Sequence, residues 1–217
     1  MSATRVRSDG DGAFSNQSTR LFASILGAVA GAGGVLHGFY EVLQGSVPSD
    51  DILSRIGAFT LIPNYLYTGI CAIAVGTAVI VWSAAFVHRS HGPLVYASLA
   101  FLLFLVGGGV ALVPGSILVW GVATRIAGQL SWWNKLLSSD VRAFLGRIWL
   151  PTFVIGMALF LTGFSIWTFI VPPGEVRKVT AIHYVLWSCL TGGLLFLLLA
   201  IPCGFARDIE RRRGPPG

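Results

Sequence analysis

Five long apolar runs dominate this chain and restrict it to one class of fold. A membrane-spanning helix needs about 20 predominantly apolar residues, and each run is that long or longer. Only 11% of the residues are charged, whereas soluble domains average about 25%. The sequence therefore predicts an all-α, polytopic membrane helix bundle. The runs are 21–45, 58–87, 93–130, 148–171 and 180–204.

The third run is too long for a single crossing. As one helix it would extend about 57 Å at about 1.5 Å per residue, against a hydrocarbon core of about 30 Å. Glycines 107–109 and the Pro114-Gly115 pair interrupt it, and glycine and proline punctuate helices. We therefore predict six membrane segments, with the fourth short and compatible with a re-entrant helix because it carries Arg125. The segments are 21–45, 58–87, 93–112, 114–130, 148–171 and 180–204.

The basic residues give the bundle an orientation. With six segments, the side that holds both termini carries twelve of the 15 lysines and arginines, and the other side carries Arg55, Arg177 and Lys178. Five segments would divide them six to nine. Cytoplasmic loops carry the excess of basic residues. The sequence thus predicts that both termini are cytoplasmic.

The polar parts of the chain are short. We predict a disordered cytoplasmic N-terminus over 1–20, and a basic cytoplasmic tail over 205–217. Residues 131–147 alternate tryptophan and leucine with basic residues, a pattern typical of a helix lying in the headgroup layer. The net charge of +6 comes from residues at the ends of the apolar runs. The expected partner is therefore the lipid bilayer, and no basic stripe or recognition motif indicates nucleic acid.

The most informative polar residues lie inside the first segment. His37 and Glu41 are one helical turn apart, and ionisable groups in a membrane span usually face a bundle interior or a cavity. The six-segment topology places them near the outer end of the segment, in the same leaflet as Asn64, Tyr67 and His183. These five residues are the candidates for a ligand or proton site.

Several chemistries fit these candidates. Together, His37, Glu41 and His183 are suitable ligands for zinc or a transition metal, and two histidines can ligate a haem. A histidine and a glutamate can also pass protons, or they can simply hold two helices together. The sequence identifies no cofactor. It predicts no catalytic residues, since HExxH, CxxC, GxSxG and P-loop motifs are missing from it.

Glycines form a stripe along the first segment. The members form two small-xxx-small pairs, which let helices approach closely in lipid, and Glu41 lies at the edge of the stripe. The pattern predicts a helix contact, either inside the bundle or with a partner helix or a second copy of the chain. The contact residues are Gly27, Gly31, Gly34 and Gly38.

Three short elements carry a family resemblance. They are HGFYE with QG at 37–45, IPN at 62–64 and VGGG at 106–109. In this order, as HGxYE…QG, IPN and VGGG, they resemble a group of small bacterial membrane proteins over roughly residues 31–126. The resemblance implies a multi-pass protein of a bacterial inner membrane, and it does not indicate a substrate.

The sequence favours a small integral membrane protein with a polar His/Glu site in the outer leaflet, acting as a ligand-binding or transport-type component. Two other functions stay open at this point. One is a non-catalytic subunit or assembly partner of a larger membrane complex, held through the glycine stripe. The other is a metal- or haem-dependent membrane enzyme.

Overall fold

The computed structural model describes residues 16–49, 59–170 and 181–213, and these residues are helical almost throughout. The predicted all-α class is confirmed. A 3-10 turn, Val110–Leu112, leads directly into α4, and a lone antiparallel bridge joins Thr60 to Val106. The helices are α1 (Gln17–Leu43), α2 (Tyr65–Ala85), α3 (Gly92–Leu105), α4 (Val113–Ala123), α5 (Ser131–Leu136), α6 (Ser139–Phe169) and α7 (Ala181–Arg213).

Four of these helices, α1, α2, α6 and α7, are long and apolar enough to cross a membrane. They correspond to the first, second, fifth and sixth predicted segments. The third and fourth segments correspond to shorter apolar helices, Gly92–Leu105 and Val110–Ala123. The described residues therefore have the helices of a membrane protein, as the apolar runs predict.

The break in the third apolar run lies earlier than predicted. We expected it at residue 113, before Pro114, but α3 ends at Leu105 and the chain turns through residues 106–109, which we call the glycine loop. Gly107 has φ +92° and Gly109 has φ +90°, and glycine adopts this region without strain. Pro114 instead lies in the first turn of α4, where a missing N–H costs no hydrogen bond.

The second helix begins at Tyr65, not at residue 58, which lies outside the described residues. Pro63 just before it disfavours helical backbone at the preceding residue. The Asn64 side chain then caps the helix, because its Oδ1 accepts the Leu66 N–H at 3.0 Å and the Tyr67 N–H at 3.4 Å. The IPN element is thus the start signal of α2.

The segment 131–147, which we predicted as one helix in the headgroup layer, is divided between two helices. Only the short α5 lies there by itself, and the residues from Ser139 onward belong to α6. Arg142 had suggested a surface helix, but it is buried and pairs with Glu210 of α7. The paired charge lets α6 continue as one helix from the polar connection into the apolar run.

Both predicted polar ends are partly wrong as well. Residues 17–20 form the first turn of α1, and residues 205–213 continue α7 without interruption. Several residues of that last stretch, such as Phe205 and Ile209, are buried. The remaining terminal residues, 1–15 and 214–217, lie outside the described residues, as do the connections at 50–58 and 171–180.

One end of the bundle gathers the start of α1, the end of α4 and the end of α7. We call this end, formed by 16–20, 124–128 and 207–213, the base. The Asn16 N–H donates to the Ile126 carbonyl at 2.9 Å, and the buried Asp208 carboxylate accepts hydrogen bonds from α1. Near the base, the Phe22 and Phe153 rings lie 5.4 Å apart and join α1 to α6.

The glycine stripe of α1 packs against helices of the same chain. A Cβ added to Gly38 would lie 2.7 Å from the Gly69 carbonyl of α2, and one added to Gly34 would lie 2.6 Å from the Leu103 side chain of α3. Gly27 and Gly31 likewise meet α2. Because α2 and α3 cover the stripe, a partner helix or second copy has no access to it. The contact is internal.

We expect Gly38→Ala to lower the free energy of unfolding by about 1–3 kcal/mol, the usual range for overpacking. The added methyl group would have to separate α1 from the α2 backbone. Gly121→Ala on α4 is the matched control, because a Cβ there meets nothing within 4 Å and alanine favours the helix. Thermal unfolding in detergent compares the two, and equal transitions would contradict this account of the stripe.

Candidate functional site

The Glu41 carboxyl group lies beneath the glycine loop. Its side chain is 0% exposed, and it stands about 36 Å along α1 from Gln17 at about 1.5 Å per residue. A Cβ added to Gly107 would lie 2.7 Å from Oε2 and 2.8 Å from Oε1. Only glycine fits here, for two reasons: the left-handed backbone and the close approach of the carboxyl group.

His37 connects this buried carboxyl group to the edge of the bundle. Its Nε2 lies 3.8 Å from Glu41 Oε1, and its side chain is 18% exposed. That distance is too long for a hydrogen bond, so the two side chains are neighbours without a direct bond. The ring also lies beside Gly109, whose added Cβ would stand 3.5 Å from Nδ1. The histidine is therefore the more accessible member of the pair.

Two threonines form a directed hydrogen-bond chain beside the carboxyl group. The Thr68 hydroxyl donates its single hydrogen to the Val106 carbonyl at 2.7 Å. The 2.6 Å contact between Thr60 and Thr68 is then donated by Thr60, whose other available acceptor, the Ile62 carbonyl, lies farther away at 3.4 Å. Thr60 Oγ1 in turn accepts the Ile62 N–H at 3.1 Å. Thr68 Oγ1 thus has lone pairs but no remaining hydrogen to offer.

The carboxyl group and the threonine both approach the same part of the loop. Thr68 Oγ1 lies 2.8 Å from the Cβ position of Gly107, as Glu41 Oε1 does. Among the described residues, neither Glu41 oxygen has a hydrogen-bond partner. A buried polar group without a partner is costly, and an isolated buried charge is more so. A proton on the carboxyl group, or a cation beside it, would supply what these oxygens lack.

Backbone hydrogen bonds fix the loop over the site. The Leu61 N–H donates to the Leu105 carbonyl at 3.0 Å, and the Gly108 N–H donates to the Leu103 carbonyl at 2.8 Å. The segment before α2 is therefore tied to the end of α3. As a result, the VGGG element lies against Glu41 of the HGFYE element, and the segment just before the IPN element is tied to it.

An apolar pocket of about 450 Å³ adjoins the same loop. It opens between α3 and α4 and is lined by aromatic and aliphatic side chains, including Phe101 and Trp120, together with Gly108 and Gly109. The glycine loop therefore contacts two different sites. One is the polar His37–Glu41 pair, and the other is the apolar pocket between α3 and α4.

The other predicted site residues do not join the pair. Asn64 is the cap of α2, and its Nδ2 donates to Ser46 Oγ at 3.0 Å. Tyr67 is 60% exposed on the surface of the bundle. His183 is buried in the first turn of α7, a helix that hydrogen-bonds to α1 at the base.

The predicted metal site is therefore wrong. Within the described ranges, no three His, Cys, Asp or Glu side chains come together as a metal site, so His37, Glu41 and His183 do not converge. The physical reason is packing, because α2 and the hairpin of α3 and α4 occupy the space around the outer part of α1.

Sequence reasoning missed three residues of this site: Thr60, Thr68 and Gly107. The threonines gave no signal, since threonine is common in apolar helices and turns. The triple glycine does give one, because it predicts a break in an apolar run, and broken helices in membranes often line substrate sites. Three successive glycines exceed what a simple break requires, which is a usable hint of close backbone approach to another group.

Comparison with protein-family models, curated proteins and solved structures finds no match for this chain. The resemblance to small bacterial multi-pass proteins stays a prediction.

Proposed function

We propose that the chain has six segments in a bacterial inner membrane, with both termini in the cytoplasm. The contacts at the base support an even number of crossings, because the start of α1, the end of α4 and the end of α7 meet there. All ten lysines and arginines of the described residues also lie at or next to the base, on the same side as Arg20 and Arg213. Such an excess of basic residues is expected on the cytoplasmic side.

In this topology α3 and α4 form a hairpin of two half-length helices. The hairpin starts at the base, reaches Glu41 with its glycine loop and returns to the base at Ile126. Discontinuous helices of this kind form the ion and substrate sites of many transporters, where unwound backbone lies next to the bound ion. The hairpin has irregular backbone beside a buried carboxyl group, and the proposed topology puts both inside the membrane.

The function that this geometry supports best is binding of a proton or small cation at Glu41, in a transport-type membrane protein. One observation carries it: the Glu41 carboxyl group is fully buried, has no hydrogen-bond partner among the described residues, and lies at the same Gly107 position as the Thr68 hydroxyl, which already donates to Val106. His37 is the route by which a proton reaches Glu41, since it is the partly exposed member of the pair.

Among the described residues, the structure does not contain the contacts that the two rival functions require. The subunit hypothesis relied on the glycine stripe as an external surface, and α2 and α3 cover that stripe. The metal-enzyme hypothesis relied on convergence of His183 with His37 and Glu41, which the packing does not produce.

We expect Glu41→Gln to reduce ion flux at least tenfold while leaving the fold intact. Glutamine has the same size, but it can neither take up a proton nor neutralise a cation. The protein is reconstituted in liposomes with a pH-sensitive dye, and proton or sodium gradients drive the flux. Asp140→Asn, an exposed carboxylate at the base, is the matched control. Flux through Glu41→Gln at the wild-type rate would overturn the proposal.

A further inference from the structure

The base of the bundle is strongly positive. The described acidic residues at or next to it are Asp140, Asp208 and Glu210, and the last two are already engaged with α1 and Arg142. Burial lowers the pKa of His88, and the charges of the neighbouring Arg20 and Arg89 lower it further. An anion that approaches this end therefore meets a concentration of positive charge that the described carboxylates do not balance.

A pocket of about 250 Å³ opens in this surface. It lies between the end of α7 and the segment that leads into α5. Its polar lining has two arginines and three neutral groups, and no carboxylate belongs to it. The lining residues are 129–131, Asn134, Ile209, Arg212 and Arg213.

The hydrogen bonds around Asn134 make this pocket rich in donors. Asn134 Oδ1 accepts from Arg142 Nη1 at 3.1 Å and from Arg213 Nη2 at 2.8 Å. With its oxygen occupied twice, Asn134 has its two amide hydrogens left to offer. The Ser131 hydroxyl and the other N–H groups of Arg213 add further donors. Such a set of donors suits an oxyanion, and arginine pairs with phosphate especially well.

We infer that this pocket binds the phosphate group of an anionic phospholipid from the adjacent leaflet. Leu130 and Ile209 give it an apolar part, which suits the start of the lipid chains. The neighbouring Trp132 is 62% exposed, and exposed tryptophans mark the headgroup level of a membrane. The inference depends on the orientation proposed above and is independent of any ion flux through Glu41.

The test measures lipid binding to the full chain by native mass spectrometry, with phosphatidylglycerol and phosphatidylcholine as probes. We expect phosphatidylglycerol to bind more tightly, and Arg213→Gln to weaken its binding about fivefold, the effect of one basic residue at a membrane surface. Arg147→Gln is the control, because it removes the same charge from an exposed position outside the pocket. We expect it to change binding less than twofold.

Three outcomes would overturn the inference. Equal binding of the two lipids would remove the preference, and equal losses in the two variants would indicate diffuse surface charge. Displacement of the lipid by inorganic phosphate would identify a site for a soluble anion. Thermal unfolding of Arg213→Gln checks that the variant is folded, and Arg213→Lys, which keeps the charge, is expected to retain most of the preference.

Discussion

Replacing Asp208 with alanine is expected to lower the free energy of unfolding by about 3–5 kcal/mol, because it leaves three donors without their acceptor and a hydrogen bond to a charged group contributes about 1.5–3 kcal/mol. The carboxylate is 3% exposed and accepts three hydrogen bonds. They come from the Ser18 N–H at 2.8 Å, the Thr19 N–H at 2.9 Å and the Thr19 hydroxyl at 2.7 Å. Asp208 thereby caps the N-terminus of α1 from another helix, where a negative charge also interacts well with the helix dipole.

The effect should be specific to this contact. Asp140→Ala removes a carboxylate from the exposed first turn of α6, and we expect a loss of only about 0.3–1 kcal/mol there. Asp208→Asn keeps one acceptor oxygen and should fall between the two. Unfolding by a denaturing detergent, followed by circular dichroism, gives the three values. An Asp208→Ala transition that matches that of Asp140→Ala would mean that α1 and α7 are not joined through this residue.

The features of α1 that could be predicted from the sequence depend only on the spacing of residues along one helix. A spacing of four residues places His37 and Glu41 on one side of a helix in any fold. In the same way, the spacing of Gly27, Gly31, Gly34 and Gly38 gives one close-packing stripe. These predictions needed only the helical period, and the period does not depend on what packs against the helix.

The neighbours of these residues were harder to predict. The stripe was equally compatible with an internal helix and with a partner chain, and nothing in its spacing distinguishes the two. His183 was placed in the same leaflet as Glu41 by topology, but depth in the membrane does not fix the position of a helix around the bundle. Lateral neighbours follow from the packing of whole helices, which one sequence does not specify.

The partners of the charged residues at the base were equally hard to predict from the sequence. Arg142 and the basic residues after Phe205 were taken as signs of a surface helix and a polar tail, since an isolated charge is costly to bury. In the structure, Arg142 meets Glu210, and Asp208 meets the start of α1. Each charge has a partner more than 60 residues away in the sequence, so no local pattern showed that burial was possible.

Replacing Gly107 with alanine should be the most damaging change at the site itself. The left-handed backbone, with φ +92°, costs a non-glycine residue about 1–3 kcal/mol. The new methyl group would also stand 2.7 Å from Glu41 Oε2 and 2.8 Å from Thr68 Oγ1, so the carboxyl group would have to move. We expect lower stability and at least a tenfold loss of flux.

Gly109→Ala separates these two effects, because it carries nearly the same backbone strain without the close contact. Its φ is +90°, but its added Cβ would meet His37 Nδ1 at 3.5 Å, an ordinary van der Waals distance. The two variants should therefore be destabilised by the backbone to a similar extent, whereas flux should fall much more in Gly107→Ala. Thermal unfolding and liposome flux are measured on both. If flux falls equally in the two, strain in the glycine loop accounts for the loss, and the position of the Glu41 carboxyl group does not.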